Sequence, residues 1–250
     1  EHIYSISEMF KLVTGIRGDY YNITERLYYS PRANLRYNPT ENTVLRVSLG
    51  KAFRVSQPLV ENFNYLNSSR FITLDNAILP EEAVNYGINA TYCFYLLSKE
   101  GRINLDVYRT QFQNQVIVDV EDQNNLFFYN LNGDSYANSI QLDLDYELFS
   151  GLQMRIGYKI NNTITTFNGE QKSVPLLPSY RALFNSAYTN NSKKWLFDFT
   201  TNYIGSSRMP LHDQLDFEYS DPFSLVNFHI TRRWDSFDLY FVGIKGFEDK

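Results

Sequence analysis

Strict alternation of apolar and polar residues is the feature of this sequence that most limits its fold. Between Ser139 and Glu147, Ile140, Leu142 and Leu144 alternate with polar neighbours. Successive side chains of a strand point to opposite faces, so this pattern predicts a strand with one apolar and one polar face. The pattern recurs over 45–50, 85–94, 103–107 and 154–161, and more weakly over 197–203 and 226–230. An all-β chain of eleven strands, with a partial strand before Ser7, is predicted.

The connections between these strands decide which architecture the alternation favours. Short polar turns are predicted at 7–8, 39–42, 98–101, 149–151, 190–193 and 235–236, and long connections at 22–29, 54–82, 119–126, 168–179 and 205–222. Short and long connections alternate, which is typical of an antiparallel up-and-down transmembrane β-barrel and places all long loops on one rim. Most strand windows reach 9 to 11 residues, the length that crosses a bilayer when tilted. A soluble β-sandwich binding module, which would bury the apolar face, is the competing interpretation.

Composition supports strands over a helical bundle and argues against a nucleic-acid-binding protein. The chain holds 20 Tyr and 19 Phe against 2 Trp, and many aromatics lie near predicted strand ends, as in membrane-interface girdles. Cross-strand aromatic pairs in a soluble sheet are the alternative explanation. The net charge of −5, without a basic stripe, argues against nucleic acid as a partner. Cys93, the single cysteine, has no partner for an intrachain disulfide.

Several segments resemble the barrel of TonB-dependent outer-membrane receptors. Residues 30–43, Ser-Pro-Arg-Ala-Asn-Leu-Arg-Tyr-Asn-Pro-Thr-Glu-Asn-Thr, are similar to a hairpin in which a proline-arginine strand meets a Pro-Thr periplasmic turn. The next strand ends in Gly50-Lys51-Ala52-Phe53-Arg54, which resembles the family's Gly-x-x-Phe-Arg stretch before a long extracellular loop. Further matches lie at 79–87, 108–115, 130–133 and 178–185, so the resemblance covers nearly the whole chain.

The resemblance implies a barrel of 22 strands with a plug in its lumen, in the outer membrane of a Gram-negative bacterium. Residues 1–250 are then expected to be the C-terminal part of the barrel domain, an incomplete wall of roughly 11–12 strands without the plug or the last strand. The implied function is energy-dependent uptake of a scarce nutrient, an iron chelate, cobalamin or a glycan, with no cofactor and no enzymatic activity. The implied partners are outer-membrane lipid, the plug and through it the TonB energy-coupling complex, the small-molecule nutrient, and as a further candidate a lipoprotein lid.

Two groups of residues are candidates for contact with a substrate. Arg32, Arg36, Arg46 and Arg54 lie on the polar side of neighbouring strands, where they could face the plug or an anion; general solvation of the lumen is the alternative. By resemblance, Arg54 lies nearest the extracellular mouth. Five aromatic residues in the long loops could stack on a ring of the substrate, or could pack against one another: Phe63, Tyr65, Phe71, Phe128 and Tyr129.

Metal and catalytic sites have weaker support. Asp119, Glu121 and Asp122 are weak candidates for Ca²⁺, although their spacing is not that of an EF-hand and a solvated acidic loop is the alternative. A second acidic loop, 212–221, holds one histidine. Motifs for a nucleophile elbow, a zinc protease or a phosphate-binding loop do not occur. A barrel-embedded hydrolase with His229 as its base is kept as the enzyme alternative.

Overall fold

The computed structural model describes residues 1–210 and 218–248. The strands are β1 (His2–Ser5), β2 (Phe10–Tyr21), β3 (Arg26–Thr40), β4 (Thr43–Arg54), β5 (Phe71–Leu74), β6 (Glu81–Leu96), β7 (Lys99–Asn114), β8 (Val116–Asp119), β9 (Asn125–Asn130), β10 (Ser135–Phe149), β11 (Leu152–Phe167), β12 (Glu170–Ser173), β13 (Tyr180–Thr189), β14 (Trp195–Ile204), β15 (Phe223–Arg233) and β16 (Asp238–Glu248). Two one-turn helices, α1 (Pro58–Glu61) and α2 (Phe63–Leu66), lie between β4 and β5. None of the helices in these ranges is long and apolar enough to cross a membrane.

One large antiparallel sheet of 13 strands dominates the fold, in the order β1-β2-β3-β4-β6-β7-β10-β11-β13-β14-β15-β16 with β12 attached to β11. Every strand of this path pairs with the next long strand of the chain, so the sheet is an up-and-down meander. The predicted eleven strands and a partial first strand are confirmed, with β1 as the partial strand. Within the described residues β1 and β16 do not pair with each other, and the sheet is not closed.

The large sheet keeps its two faces distinct across many strands. One row of register partners is apolar from β2 to β11: Leu12, Leu35, Val47, Ile88, Val107, Ile140 and Ile160. Val47, Tyr92 and Leu142, which lie on this apolar face, are each 49% exposed. Within the described residues no second sheet covers them, so the competing interpretation as a soluble sandwich is wrong.

The opposite face, here called the polar face, carries charged and amide side chains. Its best-defined row contains Lys11, Arg36, Arg46, Asn89, Asp106, Gln141, Lys159 and Arg181. One polar face and one apolar face on an up-and-down sheet are the arrangement of a membrane barrel wall.

Short and long connections lie on opposite rims, as the alternation predicts. The short-turn rim has connections of a few residues at 6–9, 41–42, 97–98, 150–151, 190–194 and 234–237. The long-loop rim carries residues 55–80, 115–134 and 168–179, and of the connection between β14 and β15 the structure describes residues 205–210 and 218–222. The β2–β3 connection differs from the prediction, because β2 and β3 continue pairing to Tyr21 and Arg26 and leave only residues 22–25 between them.

Several strands are longer than predicted. β6, β7 and β11 each contain 16 residues, against the 9 to 11 predicted from alternation. Such strands exceed the apolar band because neighbouring strands still supply hydrogen-bond partners beyond it. The extra residues carry no alternating signal because both of their faces meet water or loops.

A small second sheet sits at the long-loop rim. In this loop sheet, of order β5-β9-β8, β5 runs parallel to β9 and β8 runs antiparallel to it. Its core consists of Val120, Leu126 and Phe128, with Tyr65 and Leu66 packed against them. The loop sheet is therefore an ordered unit with a dry interior of its own.

Aromatic rings cluster on the apolar face near the short-turn rim. Phe10 stacks on Tyr37 at 4.3 Å, and Trp195 stacks on Phe197 at 6.0 Å. Phe94 covers its register partner Gly101, where an added Cβ would lie 2.3 Å from the ring. These rings lie near strand ends at the short-turn rim, which is where the sequence predicts an interface girdle.

Candidate functional site

A hydrogen-bonded relay crosses three strands of the polar face, β4, β6 and β7. Arg46 Nη1 donates to Asn89 Oδ1 at 2.7 Å, and Asn89 Nδ2 donates to Asp106 Oδ1 at 2.8 Å. Arg36 lies directly opposite Arg46 in the β3–β4 register. These four side chains line a depression of about 540 Å³, which offers two guanidinium groups and one carboxylate to a polar ligand.

A second charged cluster on the polar face lies nearer the short-turn rim. Asp145 accepts hydrogen bonds from Arg102 at 3.2 Å and from Arg155 at 2.5 Å. Arg102, Asp145 and Arg155 are register partners on β7, β10 and β11. Sequence reasoning missed this triad, although the tight turns at 97–98 and 150–151 nearly fix the register that brings its members together.

The loop sheet encloses a buried carboxylate. Asp119 is 1% exposed, and it accepts hydrogen bonds from the Tyr129 hydroxyl at 3.1 Å and from Asn168 Nδ2 at 3.3 Å. Its other oxygen accepts from the Glu121 backbone N–H at 3.0 Å. These donors stabilise the charge at a position where an unpaired carboxylate would be costly.

Arg208 connects the loop sheet to the loops that follow β11 and β14. Its side chain is 3% exposed; Nη2 forms an ion pair with Glu121, and Nε donates to the Ser173 carbonyl at 2.6 Å. Sequence reasoning missed Arg208, which lies in a long connection without periodicity.

Family comparison decides the identity of the fold. The family model described as "TonB dependent receptor-like, beta-barrel" matches residues 1–245. The chain belongs to the TonB-dependent receptor family. It is therefore a part of a Gram-negative outer-membrane barrel, whose apolar face meets lipid and whose polar face lines the lumen. No curated protein matches its sequence.

Solved structures agree with this fold. A mutant of the ferric enterobactin receptor PfeA of Pseudomonas aeruginosa superposes with a TM-score of 0.70 at 15% identity, over 95% of this chain and 37% of that one. The siderophore receptor PirA of Acinetobacter baumannii gives 0.71 at 10% identity, over 94% and 38%. The copper transporter OprC gives 0.69 at 15% identity, over 95% and 39%. The receptor chain thus spans between a third and two fifths of the length of these structures.

The four predicted arginines of the receptor all lie on the lumen face, and each has a partner. Arg32 pairs with Glu1 at 2.7 Å, and Arg36 donates to Asn38 at 3.0 Å. Arg54 pairs with Glu81 at 2.5 Å and with Glu61 of α1 at 3.2 Å. Arg54 therefore ties the first long loop to the barrel rim, while Arg36 and Arg46 share the depression.

The structure separates the five predicted loop aromatics of the receptor. Phe63 and Phe71 are 65% and 75% exposed at the long-loop rim. Phe128 is buried, Tyr65 packs against it, and Tyr129 is hydrogen-bonded to Asp119. Only Phe63 and Phe71 present a free ring, whereas the other three stabilise the loop sheet.

The predicted acidic and catalytic residues of the receptor are also placed. Asp119 and Glu121 are bound as described above, and Asp122 accepts from Asn124 and Asn125 within its own turn. Within residues 1–210 and 218–248 no group of three or more acidic, His or Cys side chains is arranged for a metal. His229 contacts Thr231 and Tyr240. Most of the second acidic loop, including His212, lies outside the described residues.

Proposed function

We propose that this chain forms barrel wall and extracellular capture loops of a receptor for energy-dependent uptake of a scarce nutrient. One observation carries the proposal: two exposed aromatic rings lie at the long-loop rim of a wall whose lumen face is charged. Phe63 and Phe71 offer flat apolar contact, and the Arg36–Arg46 depression offers charge. Iron chelates, cobalamin and glycans all combine ring surface with polar groups.

The rest of the receptor is proposed to lie outside these 250 residues. Residues 1–250 would form the C-terminal part of the barrel domain, with the plug and the last strand supplied by further chain. The plug would contact the lumen face and connect it to the TonB energy-coupling complex, and a lipoprotein lid is a further proposed partner. The lumen-facing arginines favour this arrangement, because a plug with surface carboxylates would complement them.

Iron chelates are the substrate class we favour. Two of the similar structures belong to receptors named for ferric enterobactin or a siderophore, and a third belongs to a copper transporter. An anionic ferric chelate would match the two guanidinium groups of the depression better than a neutral glycan would.

Transport measurements on the complete receptor test this proposal. Cells expressing it are given radio-iron chelates, labelled cobalamin and labelled oligosaccharides, with and without an uncoupler of the proton gradient. We expect uptake of an iron chelate that the uncoupler abolishes. Uptake of no compound, or uptake that continues at the same rate with the uncoupler, contradicts the proposal.

A double variant tests the role of the aromatic rings. Phe63→Ala with Phe71→Ala should weaken binding of the transported compound roughly tenfold, given the typical contribution of two aromatic contacts. Val60→Ala, a change at a 70% exposed aliphatic residue of the same loop, is the matched control and should leave binding unchanged. Equal affinities of the double variant and the wild type would show that the two rings do not contribute to binding.

A further inference from the structure

Four basic residues lie in or beside two neighbouring turns of the short-turn rim: Lys193 and Lys194 in the turn before β14, and Arg232 and Arg233 at the end of β15. The Arg233 backbone N–H donates to the Lys194 carbonyl at 2.8 Å, which holds the two turns together. Arg232 is the register partner of Trp195 and lies on the lipid-facing side, whereas Arg233 points to the opposite side. Arg232 thus places a positive charge on the lipid-facing side at this rim.

The Arg232 guanidinium lies between two indole rings. Its Cζ atom is 4.9 Å from the ring centre of Trp195 and 5.3 Å from that of Trp234. Trp234 in turn stacks on Phe237 at 4.8 Å. Cation–π contacts with both rings hold the guanidinium in place.

Arg232 has no anionic partner within the part of the chain that the structure describes. It is half-buried, yet no hydrogen bond or ion pair to another side chain satisfies its five N–H groups there. Its neighbour Arg233 is instead paired with Asp238 at 3.4 Å. A half-buried cation that is positioned by rings but lacks a carboxylate is suited to an external anion.

The residues beside Arg232 form an apolar column towards the membrane centre. The next row of lipid-facing register partners contains Phe197, Ile230 and Phe241. Phe197 and Phe241 are 37% and 65% exposed. A cation at the depth of the headgroups above an apolar column matches the two ends of a lipid molecule.

We propose that Arg232, held by Trp195 and Trp234, binds the phosphate of an anionic phospholipid in the periplasmic leaflet. One acyl chain would lie along Phe197, Ile230 and Phe241. The planar guanidinium donates two parallel hydrogen bonds to the phosphate oxygens, which an ammonium group cannot do.

Native mass spectrometry of the complete receptor tests the proposal. The receptor is incorporated in phosphatidylethanolamine nanodiscs that contain a small fraction of phosphatidylglycerol, and retained lipid is counted after transfer to mild detergent. Arg232→Gln should reduce the affinity for phosphatidylglycerol roughly fivefold or more, as expected for loss of a charge-assisted hydrogen bond. Arg233→Gln is the matched control and should retain the wild-type affinity.

A second variant and a competition measurement distinguish a specific lipid site from a general effect of charge or of phosphate. Arg232→Lys keeps the charge but loses the planar group that stacks on the rings, so it should reduce the affinity for phosphatidylglycerol less than Arg232→Gln does. This variant also tests the proposal if Arg232→Gln fails to fold. Inorganic phosphate at millimolar concentration should not displace the lipid. The proposal is overturned if Arg232→Gln and Arg232→Lys both bind like the wild type, if Arg233→Gln loses as much affinity as Arg232→Gln, or if free phosphate displaces the lipid.

Discussion

Asp119 illustrates how single residues hold the loops of this receptor in place. A carboxylate that is 1% exposed is accommodated in the loop sheet because a phenol, an amide and a backbone N–H all donate to it. Neither the burial nor the donors could be predicted from the sequence, because Asn168 is distant in the chain and the acidic run 119–122 looks solvated. Sequence reasoning therefore placed Asp119 among weak calcium candidates, whereas its structural surroundings are those of a core residue.

Removing the Tyr129 hydroxyl should weaken the loop sheet. Tyr129→Phe leaves Asp119 with one donor fewer, and we expect a local loss of about 1–3 kcal/mol. Hydrogen exchange of residues 116–130 in the complete receptor measures it. Tyr65→Phe is the control, since Tyr65 packs on the same cluster and its hydroxyl makes no hydrogen bond to the described residues. Equal exchange in Tyr129→Phe and the wild type would show that the hydrogen bond is unimportant.

Tyr129 also makes the stability of the loop sheet depend on pH. Burial, with the nearby Asp119 carboxylate, raises the pKa of the Tyr129 phenol well above its usual value of about 10. Because the folded-state pKa is the higher one, the unfolded loop loses this proton first. The stabilisation of the loop sheet by the protonated Tyr129 phenol is fully present below about pH 10 and is lost as the pH rises above that value. Hydrogen exchange of the loop should increase there in the wild type and less in Tyr129→Phe.

Arg208 is the second residue whose loss should loosen the loops. Arg208→Met leaves Glu121 without its partner, and the cost should be about 3 kcal/mol for a pair this buried. Faster hydrogen exchange in 116–130 and 168–179 is the expected result. Arg17→Met removes an exposed pair with Asp19 and should change stability by less than about 1 kcal/mol. Similar effects of both variants would contradict the structural role of Arg208.

At the scale of elements, the sequence specifies the strands better than their ends and their non-local partners. Ile140, Leu142 and Leu144 alternate with polar residues, and their strand was predicted because pleated geometry requires that alternation. β5 was not predicted: its four residues pair in parallel with β9, about fifty positions away, and all four are exposed. Likewise Phe63 and Phe128 look alike in sequence, yet only the loop packing decides which of them is buried.

A charged residue on the lipid-facing side of β10 should destabilise the barrel. Leu142→Arg places a cation in the apolar band and should destabilise the barrel by about 2–4 kcal/mol. Gln141→Arg, one residue away on the lumen face, should be tolerated because that face is polar. Both effects are measured on the complete receptor in lipid vesicles, as the midpoint urea concentration at which the folded, heat-modifiable gel band is lost. If the two variants shift this midpoint equally, the assignment of faces is wrong.

At the scale of the whole molecule, the open edges of the sheet carry the largest energetic cost in a membrane. β1 pairs with only four residues of β2, and β16 has one neighbour within the described residues. Each open edge leaves roughly five or more backbone groups unpaired in hydrocarbon, at several kcal/mol apiece. Ordinary domains are stable by only about 5 to 15 kcal/mol, so these edges cannot remain open.

Residues 1–250 expressed alone should therefore fail to insert as a stable barrel. We expect no heat-modifiable band in detergent and rapid digestion by protease in vesicles. The complete receptor under the same conditions is the control and should give the band. A stable, protease-resistant band from residues 1–250 alone would show that the edges can be satisfied in another way, for example by pairing between two copies.

The parallel pairing of β5 with β9 couples the loop sheet to the barrel wall. The β8–β9 hairpin is local in sequence, whereas β5 is brought to it by β6 and β7, whose Glu82–Asn114 register places the two loops at one rim. A change that disturbs the pairing of β6 with β7 is therefore expected to separate β5 from β9. β9 would then present an unpaired strand edge, at which a foreign β-strand could take the place of β5.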